Sequence, residues 1–356
     1  MNLHIKKISL FNFRNYTREK LELEAKPVVL TGHNGAGKTN ILEAVSLLTP
    51  TRGLRAAKLR EINSEWSVSA SIQSPLETSN IITGYVDGKR ITKIDGKTPK
   101  TQGELSEKST IIWLTPQMDG FFIGSAGDRR KFLDRITQTF EPTHIEHLLA
   151  YEKAVKERNK LLKTRPNNDA WLSAIEMTIA RMGTAIAASR IHTVDKLNAI
   201  TPNSAFPNCF VEIIGDIETS LHTMPAVDAE QKFAEMLRKS RGQDAFSGRT
   251  NIGVHRSDIA VYFEEKPARL CSTGEQKALL IGLILSYAHA FYAARGYAPI
   301  LLLDEVIAHL DNHRRAELFK ELSALQSQVW LTGINRDDFS DIDGQFFCVK
   351  NGEICK

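Results

Sequence analysis

The chain has 356 residues, of which 42% are hydrophobic, and a formal net charge of +4. This length exceeds the size at which one hydrophobic core usually suffices, so we expect two lobes. No apolar run reaches the roughly 20 residues of a membrane span, and the N-terminus lacks the apolar centre of a signal peptide. The four cysteines show neither metal-binding spacing nor a disulfide framework, which predicts a reducing, cytoplasmic location without membrane contact. The weak positive charge permits a nucleic-acid partner but does not by itself indicate one.

Residues 32–39, Gly-His-Asn-Gly-Ala-Gly-Lys-Thr, match the phosphate-binding P-loop pattern at every fixed position. The apolar residues 27–31 before the loop predict a buried strand, and the spacing in 40–48 predicts a helix. Lys38 would reach the β- and γ-phosphates, and the Thr39 hydroxyl would ligate Mg²⁺. The sequence therefore predicts a nucleoside triphosphate site. Its expected ligands are Gly32, His33, Asn34, Gly35, Ala36, Gly37, Lys38, Thr39 and Asn40.

The middle of the chain predicts helices. Residues 142–163 and 169–200 both have helical spacing and are separated by the turn-rich segment 164–168, which indicates an antiparallel helical hairpin. A further helix is expected over 227–241, followed by a loop at 242–248.

The first arm of this hairpin carries a stripe of four lysines at three- and four-residue steps, so they share one helical face. One interpretation is a solvated face balanced by Glu152 and Glu157. The other is a track for a DNA backbone. The lysine stripe consists of Lys153, Lys156, Lys160 and Lys163.

Residues 271–277, Cys-Ser-Thr-Gly-Glu-Gln-Lys, precede the apolar helix predicted at 278–288. A Ser-x-Gly turn that opens a helix is an anion site, since its hydroxyl, N–H groups and helix dipole all favour negative charge. It is also an ordinary helix cap, because Ser, Thr and a following Glu are capping residues. The residues concerned are Ser272, Gly274 and Glu275.

Residues 299–305 form an apolar run that ends in two carboxylates. Such runs are typical of strands buried on both faces of a parallel sheet. Asp304 is then placed to hold Mg²⁺ opposite the P-loop. Glu305 is the candidate that polarises the water attacking the γ-phosphate.

The order of P-loop, Ser-x-Gly turn and acidic strand resembles the ABC-type ATPases, in which the signature of one subunit caps the γ-phosphate held by its partner's P-loop. The resemblance identifies 113–117 as the segment carrying Gln117, which would touch Mg²⁺ and the attacking water. It identifies 308–311 as the D-loop, with Asp311 at the dimer interface. Where the family often has a switch histidine, this chain has Thr332, whose hydroxyl would bind the γ-phosphate.

Four further segments, 5–16, 53–55, 128–134 and 253–258, are similar to the RecF family of bacterial recombination and repair proteins. The last, Gly-Val-His-Arg-Ser-Asp, departs from the commoner form, which has Pro and a second Asp. Within 5–16, we expect Phe11, Phe13 and Tyr16 to be core residues.

A basic group follows the P-loop helix. It would contact DNA, or Arg55 would instead reach the nucleotide, as an arginine in this region does in related ATPases. The group consists of Arg52, Arg55, Lys58 and Arg60.

The resemblance implies an α/β, P-loop ABC-type ATPase head formed by residues 1–119 and 251–356, with an inserted, largely helical lobe at 120–250. It implies an ATP-dependent homodimer that binds DNA at single-strand gaps or single/double-strand junctions and hydrolyses ATP weakly. With RecO and RecR, such a clamp helps to load the recombinase RecA.

Two other functions remain open. A transporter ATPase subunit shares the core motifs, although its signature follows the P-loop after a much shorter interval. A nucleotide-gated DNA scaffold that does not hydrolyse ATP is the other alternative.

Overall fold

The computed structural model describes residues 2–164, 168–200 and 204–355, which form two compact units. The first contains the chain up to Asp119, the described part of 201–208, and the chain from Lys277 onward. The second contains Gly120–Ile200 and Cys209–Gln276. Residues 251–276 thus group with the inserted unit, which differs from the boundary expected at residue 250. Strand pairing is the reason, because Asp258–Phe263 forms a sheet with Phe210–Ile214 inside this unit.

The helices and strands are numbered here in chain order. The strands are β1 (His4–Phe13), β2 (Tyr16–Glu22), β3 (Val28–Thr31), β4 (Trp66–Gln73), β5 (Thr78–Val86), β6 (Lys89–Ile94), β7 (Ile111–Leu114), β8 (Phe210–Ile214), β9 (Asp258–Phe263), β10 (Lys266–Pro267), β11 (Ile300–Leu303), β12 (Val329–Gly333), β13 (Gln345–Lys350) and β14 (Glu353–Cys355). The helices are α1 (Lys38–Ser46), α2 (Gln102–Lys108), α3 (Ala126–Phe140), α4 (His144–Thr164), α5 (Asp169–Asn198), α6 (Asp216–Thr223), α7 (Ala226–Ser247), α8 (Thr273–Arg295) and α9 (Asn312–Ala324).

A six-stranded sheet in the order β14-β13-β3-β12-β11-β7 brings both ends of the chain together in the first unit. β3 pairs in parallel with β12 on one side and with β13 on the other. Every residue of β3, β7, β11 and β12 is buried, as expected for parallel strands covered on both faces. Because parallel strands end at the same edge, the P-loop after β3 and the carboxylates after β11 share that edge.

An antiparallel sheet in the order β2-β1-β4-β5-β6 completes the first unit. Phe13 and Tyr16 are buried in its core, as predicted, and Phe13 packs edge-on against Trp66. The prediction for Phe11 was wrong, because its side chain is 49% exposed. Side chains of a strand point alternately to the core and to solvent, and Leu10 points to the core, so Phe11 points to solvent. Asn12 has a left-handed φ of 48°, which interrupts this alternation and lets Phe13 point to the core.

The second unit contains α3 to α7 and the sheet β10-β9-β8. α4 and α5 form the predicted antiparallel hairpin, since Arg158 near the end of α4 bonds to Glu176 near the start of α5. The predicted turn at 164–168 falls largely on 165–167, outside the described residues. α7 continues to Ser247, through most of the expected loop at 242–248, because the buried Asp244 accepts hydrogen bonds from Arg158 and Ser240.

α8 is long and apolar enough to cross a membrane by length and composition, with a mean hydropathy of 1.4 over its most apolar window. In this structure 72% of that window is buried inside the protein, as in a core helix. An unbroken apolar run of that length is not found in the sequence, because Ser and His interrupt the run within this helix.

Candidate nucleotide-binding site

The P-loop curls through three glycines with left-handed backbone angles, φ 150° at Gly32, 81° at Gly35 and 118° at Gly37. A Cβ atom on Gly32 would lie 2.2 Å from the backbone oxygen of Val349, and one on Gly37 would lie 2.7 Å from the Tyr16 hydroxyl. Both positions therefore require glycine. Among the described residues, no side chain caps the start of α1, so its first N–H groups remain available to an anion.

Lys38 turns its ammonium group back into its own loop. Its Nζ donates to the backbone oxygens of Gly32 at 2.6 Å and His33 at 2.9 Å. Burial lowers the pKa of Lys38, and the nearby carboxylates of Glu305 and Asp304 oppose that shift. The side chain is thus a partly desolvated cation at the position where the P-loop pattern expects phosphate oxygens.

Three side chains connect the P-loop to the acidic end of β11. The Thr39 hydroxyl donates to Asp304 Oδ1 at 3.1 Å, and the Thr332 hydroxyl donates to the same oxygen at 2.8 Å. Burial raises the pKa of Asp304, and the neighbouring Glu305 raises it further. The Thr39–Asp304 contact joins residues far apart in the chain and brings two of the three predicted magnesium ligands together.

Glu305 follows Asp304 in a left-handed backbone conformation, with φ 52°. Its backbone N–H donates to the Thr332 hydroxyl at 2.8 Å. Thr332 itself is buried, and its hydroxyl is hydrogen-bonded to both acidic residues. This geometry makes Thr332 a support for the carboxylates and differs from the predicted direct contact with the γ-phosphate.

The P-loop and Glu305 enclose a cavity of about 250 Å³. Gln117, predicted to act here, follows β7 at the same sheet edge with an exposed side chain and is not among the lining residues. Of the P-loop residues, His33 and Asn34 are exposed, whereas Ala36 is buried. The cavity is lined by Gly35, Gly37, Lys38, Thr39, Asn40, Arg55 and Glu305.

Arg55 belongs to this cavity, which favours the nucleotide interpretation of that residue. Its Nη1 donates to Asn40 Oδ1 at 2.7 Å and to Glu43 Oε2 at 2.9 Å. Glu43 is buried and also accepts two hydrogen bonds from Arg14, at 2.7 and 2.9 Å. The other members of the basic group, Arg52, Lys58 and Arg60, are exposed.

Some contributors to the site were not singled out from the sequence. Asn15 Nδ2 donates to the Ala36 oxygen at 3.2 Å, and the Tyr16 hydroxyl donates to the Gly37 oxygen at 3.1 Å. Lys277, whose pKa is lowered by burial, lies near Asp119 and Glu305. The only sequence signal for Asn15 and Tyr16 was their place in the RecF-like segment 5–16.

The Ser-x-Gly turn forms a reciprocal cap at the start of α8. Ser272 N donates to Glu275 Oε2 at 2.7 Å, and Glu275 N donates to Ser272 Oγ at 3.3 Å. The capping interpretation is therefore what the structure shows. Ser272, Gly274 and Glu275 are all exposed. Because Ser272 Oγ acts as an acceptor here, its hydroxyl hydrogen is left to donate to a further ligand.

Two remaining predicted groups lie on the surface. The Asp311 side chain accepts a hydrogen bond from Arg314 N at 2.8 Å and caps α9. The lysine stripe is exposed along α4, and Lys156 lies 3.9 Å from Glu152.

A family model described as the RecF/RecN/SMC N terminal domain matches residues 4–353. The Smc head domain of Pyrococcus furiosus, solved with the C-terminal domain of ScpA, is 15% identical over 99% of this chain and 95% of its own, with a TM-score of 0.55. That likeness concerns the fold alone. Fold and site together define the class, an ABC-type ATPase head of the SMC kind with an inserted second lobe, and confirm the predicted fold class.

Full-length relatives specify the branch within this class. "DNA replication and repair protein RecF" of Mesorhizobium japonicum is 43% identical over 99% of this chain and 97% of its own length. The protein of that name from Brucella suis biovar 1 is 42% identical over 98% of this chain and 95% of its own. A solved structure of the recombination mediator protein RecF-ATP in the RecFOR pathway is 25% identical, with a TM-score of 0.88 over 100% of this chain and 98% of that one. The chain belongs to the RecF family.

Proposed function

We propose that this protein is an ATP-dependent DNA clamp of recombinational repair and replication restart. The Thr39–Asp304 hydrogen bond carries the proposal, because it assembles a P-loop and an acidic strand from opposite ends of the chain. Membership of the RecF family and the likeness to the solved RecF-ATP structure support ATP as the nucleotide.

Thr39 in α1 and Asp304 at the end of β11 fit Mg²⁺. Within the described ranges, no group of three or more His, Cys, Asp and Glu could hold a metal ion by itself. Mg²⁺ commonly binds through one or two protein oxygens together with substrate phosphates, and the Thr39 hydroxyl and Asp304 carboxylate supply such oxygens. When bound, Mg²⁺ would neutralise charge on the β- and γ-phosphates. Asp304, whose pKa is raised by burial, then has a cation to pair with.

Each side chain of the site has a different role in hydrolysis. Lys38 exchanges its bonds to the loop carbonyls for phosphate oxygens, which are stronger acceptors because they are charged. Glu305 lines the cavity and orients the attacking water as general base. Gln117 contacts that water from the neighbouring strand end. We expect slow, DNA-stimulated turnover, which suits a clamp.

The exposed cap of α8 supports a composite site. Ser272 holds its own helix cap, and its free hydroxyl hydrogen would donate to a γ-phosphate bound by the partner subunit. Asp311 would lie along the same interface. A head-to-tail pair of subunits would thus enclose two nucleotides and close on DNA when ATP is bound.

Membership of the RecF family supports the proposed partners. We infer that the clamp binds double-stranded DNA near single-strand gaps in the cytoplasm, and that it acts with RecO and RecR to load RecA. Binding to gapped DNA with ATP, with ADP and without nucleotide, monitored together with dimer mass and phosphate release, tests the proposal. We expect dimerisation and DNA binding with ATP only. DNA binding that does not depend on the nucleotide would contradict the proposed clamp. Absence of phosphate release would identify a non-hydrolysing scaffold.

A further inference from the structure

The C-terminal hairpin places two exposed cysteines opposite each other. β13 and β14 are antiparallel and joined by Asn351 and Gly352, and Cys348 pairs directly with Cys355. Both thiols are free and exposed, whereas Val349 beside Cys348 is buried. The two side chains therefore share the solvent-facing side of the hairpin.

The backbone of this hairpin suits a disulfide. Directly opposite residues of an antiparallel pair have Cα atoms about 4.5 to 5.5 Å apart, and disulfides join Cα atoms about 4.4 to 6.8 Å apart. Asn351 and Gly352 have φ angles of 51° and 79°, as a two-residue type I′ turn requires. This turn fixes the register and makes Cys348–Cys355 a hydrogen-bonded pair, whose Cα atoms lie about 5.5 Å apart, within the range that disulfides join.

The same hairpin supports the P-loop. Gly352 N donates to the Ala36 oxygen at 3.1 Å, and the Val349 oxygen occupies the space that a side chain on Gly32 would need. Cys348 also pairs with Thr31, the last residue of β3. A modification at the thiols therefore acts on the element that holds the phosphate-binding loop.

We propose that Cys348 and Cys355 form a dithiol site that a disulfide oxidant, glutathione disulfide, converts into a cross-strand disulfide in the native register. One cysteine thiolate attacks the oxidant's S–S bond and releases a glutathione thiolate. The second cysteine thiolate attacks the resulting mixed disulfide and releases another. The two protein thiols are oxidised, the oxidant is reduced to two thiols, and the protons leave the cysteines for these products.

The first test is peptide mapping of the full-length protein after treatment with glutathione disulfide. Trypsin cleaves after Lys350, between the two cysteines, so the disulfide joins two tryptic peptides that reduction separates. We expect this linked pair from protein that runs as a monomer on a non-reducing gel. Cys209 is the internal control, because burial raises the pKa of its thiol to about 12. Separate glutathione adducts on the two cysteines, or the link found only in covalent dimers, would overturn the proposal.

The second test asks whether the disulfide forms in the native register. Exchange of the Gly352 amide hydrogen should slow by about tenfold or more on oxidation, because closing a short loop restricts opening of the hairpin. Affinity for a fluorescent ATP analogue should stay within about twofold. Cys355→Ser, treated identically, should show neither the link nor slower exchange. A large loss of nucleotide affinity, or unchanged exchange in linked protein, would show that the bond needs a distorted hairpin and would refute the native-register site.

Discussion

The Thr332 hydroxyl donates a hydrogen bond to the Asp304 carboxylate at 2.8 Å. The same hydroxyl accepts the backbone N–H of Glu305, also at 2.8 Å. One side chain at the end of β12 therefore orients both acidic residues at the end of β11. Glu305 has a left-handed backbone conformation that non-glycine residues seldom adopt, and this contact helps to hold it there.

Thr332→Val should lower the rate of ATP hydrolysis by about ten- to a hundredfold, since it leaves the partly buried Glu305 N–H without its acceptor. Nucleotide affinity should remain near the wild-type value, because Thr332 does not line the cavity. Single-turnover hydrolysis and equilibrium binding separate the two effects. Thr332→Ser keeps the hydroxyl and should recover most of the activity. If Ser is as slow as Val, the hydroxyl alone does not support hydrolysis, and the loss cannot be assigned to the hydrogen bond with Glu305.

Lys38→Met should abolish nucleotide affinity, because Lys38 is the one lysine that lines the cavity among the residues that the structure describes. ATP-dependent DNA binding should disappear with it. Titration with a fluorescent nucleotide measures the effect, and Lys89→Met, at an exposed position on β6, is the matched control. Near wild-type affinity in Lys38→Met would mean that the P-loop assignment is wrong.

Ser272→Arg should leave ATP binding intact and block ATP-dependent pairing, because the bulky side chain would occupy the position of the partner's γ-phosphate. Glu305→Gln should have the opposite effect, since it removes the general base, worth about a hundredfold or more in rate, without removing phosphate contacts. Light scattering with ATP should show a monomer for the first variant and a persistent dimer for the second. Normal dimerisation of Ser272→Arg would exclude the composite site.

Replacing Lys153, Lys156 and Lys160 by Ala should weaken DNA binding and flatten its dependence on salt. The slope should fall by about one unit for each DNA phosphate that a lysine no longer neutralises. ATP binding should not change. The control is the triple Ala variant at Lys89, Lys93 and Lys97, which are also exposed. Equal salt slopes in the two triple variants would show that the lysine stripe is merely solvated.

Asp134→Asn should destabilise the protein by about 3–5 kcal/mol at neutral pH, because it removes the carboxylate that the buried Arg190 contacts at 2.8 and 2.9 Å and leaves Glu218, at 3.9 Å, as the nearest acidic group. Arg190 and His144 outweigh the burial of this carboxyl and lower its pKa to about 2. An acid with a lowered folded-state pKa stabilises the fold above its unfolded value of about 3.9 and loses that contribution as pH falls towards 2. Urea unfolding of both proteins from pH 7 to pH 3 should show the difference shrinking below about pH 4. If the difference in unfolding free energy between the two proteins does not depend on pH, the carboxylate charge does not explain the lost stability.

The nucleotide elements could be predicted from the sequence because their causes are local. A glycine-rich loop between an apolar run and a helical pattern specifies strand, loop and helix within about twenty residues. The cap formed by Ser272 and Glu275 is equally local, since a capping box needs only its own first turn. The buried runs of β3 and β11 likewise indicate strands of a parallel sheet by their composition alone.

Contacts between distant segments were decided by the tertiary structure alone. Arg55 belongs to the cavity because α1 presents Asn40 and the buried Glu43 to it. Residues 251–276 group with the inserted unit because β9 pairs with β8. No local sequence pattern specifies which strand will be the neighbour of β9. The support of the P-loop by Gly352 and the pairing of Cys348 with Cys355 depend on strand register, which the packing of buried side chains and the turn geometry select together. Sequence patterns thus determined which chemical groups this protein carries, whereas the tertiary structure determined which of them meet.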